Sequence, residues 1–398
     1  MSGRWGWLDG LRAVAVLLVL YAHLTRYVFT GLRGFTGERL HAGPAGVMLF
    51  FLVSGYIIPA SLERHGSLRA FWISRALRLY PMYLVAIAAV VALGGYRTSQ
   101  PVTAVVGHLT MLPFLLDVPL VTPVLWTLSY EMAFYLLVSA LFTMRWHRAS
   151  GQIAALLAVV AVVTAPLAGP VTGLVLPVAV LLVIGLCLVV SRWRPAVVAG
   201  GVLLAGLVAT LLAIGQDPAH AWDGLLIVAV MFTGTAIYRA DQGQTGRWPA
   251  ILAITLVGGA LMVNWVAELH SLDAVNAKYV ARLVITLLTF GGAFAIGRLG
   301  RYRRTPPWLS LIGVLSYSIY LVHYVLIQIG HRFLESALPD PVIAVTYLTA
   351  VFGIAWLTHR YVEVPAQRLG RRFRASRPRP GQDGVGGSPR LEETSWHG

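Results

Sequence analysis

The chain has 398 residues, of which 57% are hydrophobic and only 12% are charged. A water-soluble domain of this length could not bury so much apolar surface in one core, so the composition predicts a protein solvated by the lipid bilayer. The formal charge of +15 would suggest a nucleic-acid partner in a soluble protein. Here the arginines are concentrated in every second loop, which is typical of a membrane protein, so no nucleic-acid partner is predicted.

Apolar stretches long enough to cross a bilayer as helices recur along most of the chain. We therefore predict an all-α fold, a polytopic transmembrane helical bundle of about ten to twelve spans. The predicted spans are 8–28, 44–62, 79–95, 124–144, 151–166, 172–190, 197–214, 223–238, 249–267, 280–298, 308–330 and 341–361.

The first span is expected to be a retained helix. It contains Asp9, Arg12 and His23 and has no small-residue cleavage site after it, so it does not resemble a cleavable signal peptide. Asp9 and Arg12 can pair on one helix face. Arg12 and His23 are eleven residues apart, which places them on one face about 16 Å from each other. Alternatively, Arg12 could extend to the cytoplasmic lipid headgroups, and His23 could merely form a hydrogen bond to a neighbouring helix.

The distribution of arginine predicts the orientation of the chain. One set of loops carries most of these residues, among them Arg64, Arg69, Arg75, Arg78, Arg145, Arg148, Arg192, Arg194, Arg298, Arg301, Arg303 and Arg304. Because cytoplasmic loops are enriched in arginine and lysine, both termini are predicted to be cytoplasmic.

The chain is predicted to contain one folded domain and a tail. Residues 1–366 form the transmembrane domain, and residues 367–398 form a basic tail rich in proline and glycine that we expect to be disordered and cytoplasmic. Residues 63–78 mix large apolar side chains with arginines, as a separate interfacial helix would. The single cysteine, Cys187, excludes internal disulfides and cysteine-rich metal sites, and neither a metal nor a bound cofactor is predicted.

Six motifs resemble, in order, those of the membrane-bound acyltransferase 3 family. The resemblance implies an integral membrane O-acyltransferase that uses an acyl-CoA as co-substrate. Within the fourth motif, Glu131 matches the acid expected in the family, whereas Tyr130, Met132 and Ala133 depart from the usual pattern. The motifs are LDGLRAVAVLLVLYAH (8–23), FFLVSGY (50–56), ISRALRLYPMY (73–83), WTLSYEMAFY (126–135), LIGVLSYSIYLVHYVLI (311–327) and YVEVPAQRLGRR (361–372).

The predicted site has two layers. In the outer half, His23 would act as general base, with Glu131 beside it to orient the imidazole and stabilise its cation. The guanidinium groups of Arg12, Arg75 and Arg78 would bind the phosphates of coenzyme A from the cytoplasmic side. Arg12 is also placed among the catalytic residues. Further candidates for supporting roles are Asp9, Ser54, Tyr56, Trp126, His323 and Glu363.

Several of these residues have an alternative interpretation. Arg75 and Arg78 could simply belong to the arginine enrichment that is typical of cytoplasmic loops, without a role in ligand binding. His323 could bridge two helices, and Glu363 could pair with Arg360 or Arg368. Ser54 and Gly55 could serve close helix packing.

The predicted reaction moves a short acyl group, such as acetyl or propionyl, onto a hydroxyl of a small lipophilic secondary metabolite such as a macrolide or an ansamycin. The arginine-rich, lysine-poor composition is typical of a high-GC actinomycete, where such acceptors are common. Residues 145–305 are expected to select the acceptor. One alternative is O-acetylation of a cell-envelope polysaccharide or lipid-linked sugar. Another is a proton-coupled secondary transporter, since the spans contain buried arginine, histidine and glutamate.

Overall fold

The computed structural model describes residues 6–164, 173–214, 224–330 and 338–375, and these ranges contain helices and turns but no strand. Fifteen α-helices follow one another along the described chain. They are α1 (Gly6–Tyr27), α2 (Thr30–Gly37), α3 (Ala42–His65), α4 (Leu68–Ala92), α5 (Pro101–Leu109), α6 (Trp126–Thr143), α7 (Ser150–Thr164), α8 (Val175–Val189), α9 (Arg194–Ile214), α10 (Leu225–Asp241), α11 (Trp248–Ser271), α12 (Ala277–Leu299), α13 (Pro307–Ile329), α14 (Asp340–Thr358) and α15 (Val364–Ala375).

The helices confirm the predicted all-α transmembrane bundle. Among the described residues, ten helical stretches are long and apolar enough to cross a membrane. Each predicted span corresponds to one helix, and the two outside this group are the shorter α8 and α10, with 15 and 17 residues. The protein is therefore a multi-pass membrane protein.

The predicted interfacial helix at residues 63–78 is wrong. Gly66 ends α3 in the left-handed conformation with φ 61°, and the side chain of Ser67 caps the next helix. That helix, α4, then continues without a break through Pro81 to Ala92. Arg75 and Arg78 consequently lie within a membrane helix, because the sharp corner at Gly66 starts α4 earlier than the apolar pattern suggested.

Small residues bring the central helices into backbone contact. A Cβ atom on Gly55 of α3 would lie 1.8 Å from the carbonyl oxygen of Met231 on α10, and the hydroxyl of Thr235 donates to the Gly55 carbonyl over 2.8 Å. In the same way, a Cβ atom on Gly313 of α13 would lie 1.9 Å from the carbonyl oxygen of Asp9 on α1. Small residues are the usual means of close helix approach in membranes. The packing interpretation of Gly55 is thus supported.

Two ion pairs join the ends of α3, α10 and α12. Arg239 donates to Glu63 over 2.6 Å, and the Nε atom of Arg298 donates to Asp241 over 2.9 Å. The hydroxyl of Tyr56 also donates to Asp241 over 3.1 Å. Tyr56 thereby fastens α3 to this network.

The segment between α4 and α6 packs into the bundle around His108. The His108 Nδ1 atom lies 2.8 Å from the Ala104 carbonyl oxygen, and its Nε2 atom accepts from the backbone N–H of Val121 over 3.3 Å. Burial lowers the pKa of His108, so the ring stays neutral and Nε2 keeps its lone pair. Because Val121 is held in this way, the turn Pro123–Leu125 starts α6 inside the bundle.

Helical structure continues past the predicted domain boundary at residue 366. A π-helical turn, His359–Glu363, follows α14, and α15 then extends to Ala375. The remainder of the predicted tail, residues 376–398, lies outside the described residues.

The close helix contacts predict a specific pattern of stability. Gly55→Ala and Gly313→Ala should each destabilise the purified protein by about 1–3 kcal/mol, since the added methyl group meets a backbone carbonyl. The matched control is Gly353→Ala on α14, where nothing lies within 4 Å. Thermal unfolding in detergent measures the effect, and equal midpoints for Gly313→Ala and Gly353→Ala would contradict the close contact.

The orientation predicted by the arginine distribution can be tested with the single cysteine removed. On a Cys187→Ser background, a cysteine at the exposed position Asp273 should be labelled in intact cells by a membrane-impermeant maleimide. A cysteine at the exposed position Arg303 should be labelled only after lysis. The opposite labelling pattern would place both termini outside the cytoplasm.

Candidate active site

Two imidazole rings meet between α1 and α13. The Nδ1 atom of His23 lies 2.9 Å from the Val19 carbonyl oxygen, and that of His323 lies 3.2 Å from the Ile319 carbonyl oxygen. A carbonyl oxygen can only accept, so each Nδ1 carries the hydrogen and each Nε2 keeps a lone pair. The two ring centroids are 4.9 Å apart. The structure therefore brings His23 of α1 together with His323 of α13.

His323 has an unusual environment. Its side chain is fully buried, and its Nε2 atom has no hydrogen-bond partner among the described residues. The backbone carbonyl of His323 accepts from the hydroxyl of Tyr347 over 2.9 Å, which fixes this turn of α13. A buried lone pair of this kind can accept a hydrogen bond from a protonated His23 or from a hydroxyl group placed between the rings.

The ring of His23 faces a cavity of about 460 Å³, here called the outer chamber. Its polar side chains include Thr25, Arg26 and His41. Burial, reinforced by Arg282, lowers the pKa of His41 to about 4, so this ring is uncharged at neutral pH. The apolar and aromatic part of the lining comprises Val19, Tyr21, Ala22, Leu40, Ala42, Pro44, Val47, Pro123, Val124, Trp126, Tyr320 and Tyr324.

A second, smaller cavity of about 70 Å³, here called the inner pocket, lies deeper along the same helices. Arg12, Arg78 and Glu131 line it together with Ser54 and Tyr317. Glu131 accepts a short hydrogen bond from the hydroxyl of Tyr135, one turn further along α6. Arg12 lies 3.9 Å from Asp9 and also interacts electrostatically with Glu131 and Arg78.

Glu131 belongs to this arginine cluster and not to the imidazole pair, which corrects its expected position. The hydroxyl of Thr127, near the start of α6, donates to the hydroxyl of Tyr320 on α13 over 3.1 Å. Since α6 and α13 run in opposite directions, Glu131 lies opposite Ser316 and Tyr317. These residues are about two turns, or roughly 10 Å, from His323. Val124 and Leu125 of the turn Pro123–Leu125 are buried, and this turn starts α6 inside the bundle, which places Glu131 at the depth of the arginines.

Val47 and Tyr320 form the wall shared by the two cavities. The Tyr320 hydroxyl donates to the Val124 carbonyl oxygen over 3.2 Å while it accepts from Thr127, so its position is fixed on both sides. A linear arm that binds in the inner pocket must pass this wall to reach His23. Tyr320 and Tyr135 were not among the residues predicted from the sequence, although Tyr135 lies one helical turn after Glu131.

Arg75 and Arg78 of α4 line different cavities. Arg78 lines the inner pocket, whereas Arg75 lines a cleft between α4, α6 and α8. The Arg75 guanidinium lies over the rings of Phe71 and Tyr135, at 5.3 and 5.5 Å from their centroids. It still interacts electrostatically with Arg78 and Glu131. The predicted cluster of three arginines therefore exists as a charged group, but only Arg12 and Arg78 share a cavity.

The remaining predicted residues are distributed over both cavities and the surrounding frame. Ser54 lines the inner pocket and Trp126 the outer chamber. Glu363 is buried and accepts from the hydroxyl of Ser318, with His359 Nδ1 at 3.2 Å. Its partners are thus not the expected Arg360 and Arg368. The residues that line the outer chamber also lie outside 145–305, the segment expected to select the acceptor.

Comparisons with known proteins show the family to which the chain belongs. The family model described as an acyltransferase domain matches residues 5–360. The chain is similar to Acyltransferase MdmB of Streptomyces mycarofaciens, with 27% identity over 94% of this chain and 95% of that protein. It is also similar to Peptidoglycan O-acetyltransferase OatA of Listeria monocytogenes, with 26% identity over 91% of this chain and 56% of that protein. Nodulation protein 10 of Rhizobium leguminosarum shares 30% identity over 39% of this chain and 50% of its own length.

No solved structure matches the chain. The family model nevertheless covers nearly all of the membrane-spanning helices that build the two cavities. The chain therefore belongs to the acyltransferase 3 family of integral membrane enzymes and is an O-acyltransferase.

Proposed function

We propose that the enzyme transfers a short acyl group from an acyl-CoA to a hydroxyl group of a small lipophilic metabolite, with His23 as the general base. The observation that carries the proposal is the orientation of His23. Its Nδ1–H is held by the Val19 carbonyl, so the basic Nε2 atom is the nitrogen left for the reaction in the outer chamber. A positioned imidazole of this kind contributes roughly 10²–10⁴-fold to a rate.

The donor is assigned to the inner pocket. Arg12 and Arg78 present guanidinium groups that suit phosphate oxygens, and with Arg75 they outnumber the carboxylates of Asp9 and Glu131 with which they interact. This excess of positive charge favours an anionic ligand. The pantetheine arm of coenzyme A is long and uncharged, which suits passage beside Val47 and Tyr320 towards His23.

The reaction proceeds by direct transfer. The acceptor hydroxyl gives its proton to Nε2 of His23 as its oxygen attacks the thioester carbonyl carbon. The carbon–sulfur bond then breaks, and the coenzyme A thiolate takes the proton back from the imidazolium. His323 stabilises this imidazolium by accepting a hydrogen bond at its own Nε2, the role that the sequence had assigned to Glu131. The products are the ester and free coenzyme A.

The acceptor class follows from the lining of the outer chamber and from the relatives. Leu40, Val47, Pro123 and Trp126 offer apolar contacts to a lipophilic ring system such as a macrolide or an ansamycin. The similarity to a Streptomyces acyltransferase along nearly its whole length fits this acceptor class.

A cell-envelope sugar is the second candidate acceptor. Thr25, Arg26 and His41 add polar groups to the same chamber, and one relative is named a peptidoglycan O-acetyltransferase. A panel of macrolide, ansamycin and glycan acceptors with acetyl-CoA and propionyl-CoA separates the two classes by product mass.

Removal of the base should slow turnover strongly and leave the fold intact. His23→Ala should lower kcat by about 10²–10⁴-fold, because the acceptor hydroxyl then has no proton acceptor. The matched control is His270→Ala at the exposed end of α11. Product formation is measured by mass spectrometry and folding by gel filtration in detergent. Wild-type turnover in folded His23→Ala would refute the mechanism.

Loss of a guanidinium group that binds acyl-CoA should weaken the binding of acyl-CoA. Arg78→Gln should raise KM for acyl-CoA about tenfold or more, since a hydrogen bond to a charged group contributes about 1.5–3 kcal/mol. KM for the acceptor should change little. Arg303→Gln, at an exposed loop position, is the control. A change confined to the acceptor KM would move the donor site elsewhere.

A further inference from the structure

The outer chamber contains a second accessible imidazole ring, that of His41. His41 directly precedes α3, and it lines the chamber together with His23. Gly43, two residues further along the chain, packs against α1 beside His23, since a Cβ atom on Gly43 would lie 3.5 Å from the Cβ atom of Ala22. His23 and His41 therefore lie at about the same depth, one on α1 and the other at the start of α3.

The gap between α1 and α3 widens towards these two histidines. A Cβ atom on Gly46 would lie 2.6 Å from the carbonyl oxygen of Ala15, so the two helices are in close contact at this level. At Gly43, nearer the start of α3, such an atom would meet only the methyl group of Ala22. A ligand in the chamber can therefore enter between the helices and contact both imidazole rings.

The ring of His41 is not used to stabilise its own helix. His41 is the N-cap residue of α3, but its side chain makes no capping hydrogen bond. Its backbone N–H donates to the hydroxyl of Thr286 on α12 over 3.2 Å, which fixes the backbone and not the ring. The ring is partly exposed, and its nitrogens have no hydrogen-bond partner among the described residues. They are therefore available to a ligand in the chamber.

Several other polar side chains of the chamber already have hydrogen-bond partners. The hydroxyl of Thr25 donates to carbonyl oxygens of its own helix over 3.0 and 3.1 Å. The hydroxyl of Tyr324 lies 3.2 Å from that of Tyr27, and the Tyr320 hydroxyl both donates and accepts within the bundle. The ring of His41 is thus well placed to bind a polar substituent of the acceptor.

The charge of His41 indicates which substituent fits. Burial and the neighbouring Arg282 lower the pKa of His41 to about 4, so the ring is uncharged at neutral pH. An uncharged imidazole has one N–H donor and one lone pair that accepts. A hydroxyl group likewise donates and accepts, whereas a charged substituent binds best to a charged partner. The site therefore suits a neutral hydroxyl group.

We propose that His41 binds a second hydroxyl group of the acceptor, adjacent to the hydroxyl that His23 deprotonates. The inference rests on the proposed acyl transfer and names its acceptor class, a ring that carries a 1,2-diol, as sugars do. One imidazole then contacts each oxygen of the diol, and this pair of contacts orients the reacting hydroxyl towards the thioester. Such a sugar can belong to a lipophilic metabolite or to a cell-envelope glycan.

Two probes that differ by one hydroxyl group test the proposal, cis-1,2-cyclohexanediol and cyclohexanol, each with acetyl-CoA as the donor. In the wild-type enzyme, kcat/KM for the diol should be about tenfold higher than for cyclohexanol, roughly the effect of one neutral hydrogen bond. His41→Phe keeps an aromatic ring and removes both nitrogens, so it should abolish most of this preference, chiefly by raising KM for the diol. His41→Gln retains a donor and an acceptor and should restore part of it.

The matched control is His270→Phe, at the exposed end of α11, which should keep the full preference. If His41→Phe does not fold, His41→Leu removes the same two nitrogens. Octyl glucoside and methyl glucoside carry the same diols with and without an apolar chain. The first should be the better acceptor if the sugar belongs to a lipophilic metabolite, the second if it belongs to a glycan, and His41→Phe should slow both.

Three results would overturn the proposal. They are equal kcat/KM for the two cyclohexane probes in the wild-type enzyme, an undiminished preference in the folded His41 variants, and no acetylation of the diol by an enzyme that acetylates another acceptor. Failure of the proposed acyl transfer itself would be seen separately, as wild-type turnover in folded His23→Ala.

Discussion

The cost of holding charge inside a bilayer organises this protein. An ionised side chain in the hydrocarbon region must be paired, hydrated or used. Arg239 and Arg298 are paired with Glu63 and Asp241, and these pairs fasten three helices to one another. The group formed by Arg12, Arg75 and Arg78 differs, because it contains more cations than carboxylates. Such an excess is explained by anions that come from outside the chain.

The two histidines follow a related rule for neutral polar groups. Each donates its Nδ1–H to a carbonyl oxygen one turn earlier in its own helix, which leaves both lone pairs on Nε2. Rings 4.9 Å apart can then share a proton without a neighbouring carboxylate. In the proposed reaction the histidines carry a positive charge only while His23 holds the proton of the acceptor hydroxyl. The arginines lie about two helical turns away.

The imidazole pair and the arginines are about two helical turns apart. The proposed reaction therefore depends on how the helices that carry them pack together. Gly313 allows α13 to contact the backbone of α1, and the same two helices carry His323 and His23. Tyr320, fixed by Thr127 and Val124, stands between the imidazole pair and the arginines. Small changes in this packing would alter the path of the donor arm before they altered any reacting group.

The sequence by itself determined the transmembrane class, the approximate spans, the family and six of the residues that line the two cavities, namely Arg12, His23, Ser54, Arg78, Trp126 and Glu131. These follow from local properties: hydropathy sets a span, and helical periodicity places Arg12 and His23 on one face of α1. Only the tertiary structure decided which residues meet. Because α6 starts within the bundle, Glu131 lies beside the arginines and not beside His23. Because α4 is continuous, Arg75 lies in the cleft beside α8. The depth of a residue in the membrane and the side chains around it depend on how the helices pack against one another. The periodicity of a single helix contains no information about that packing.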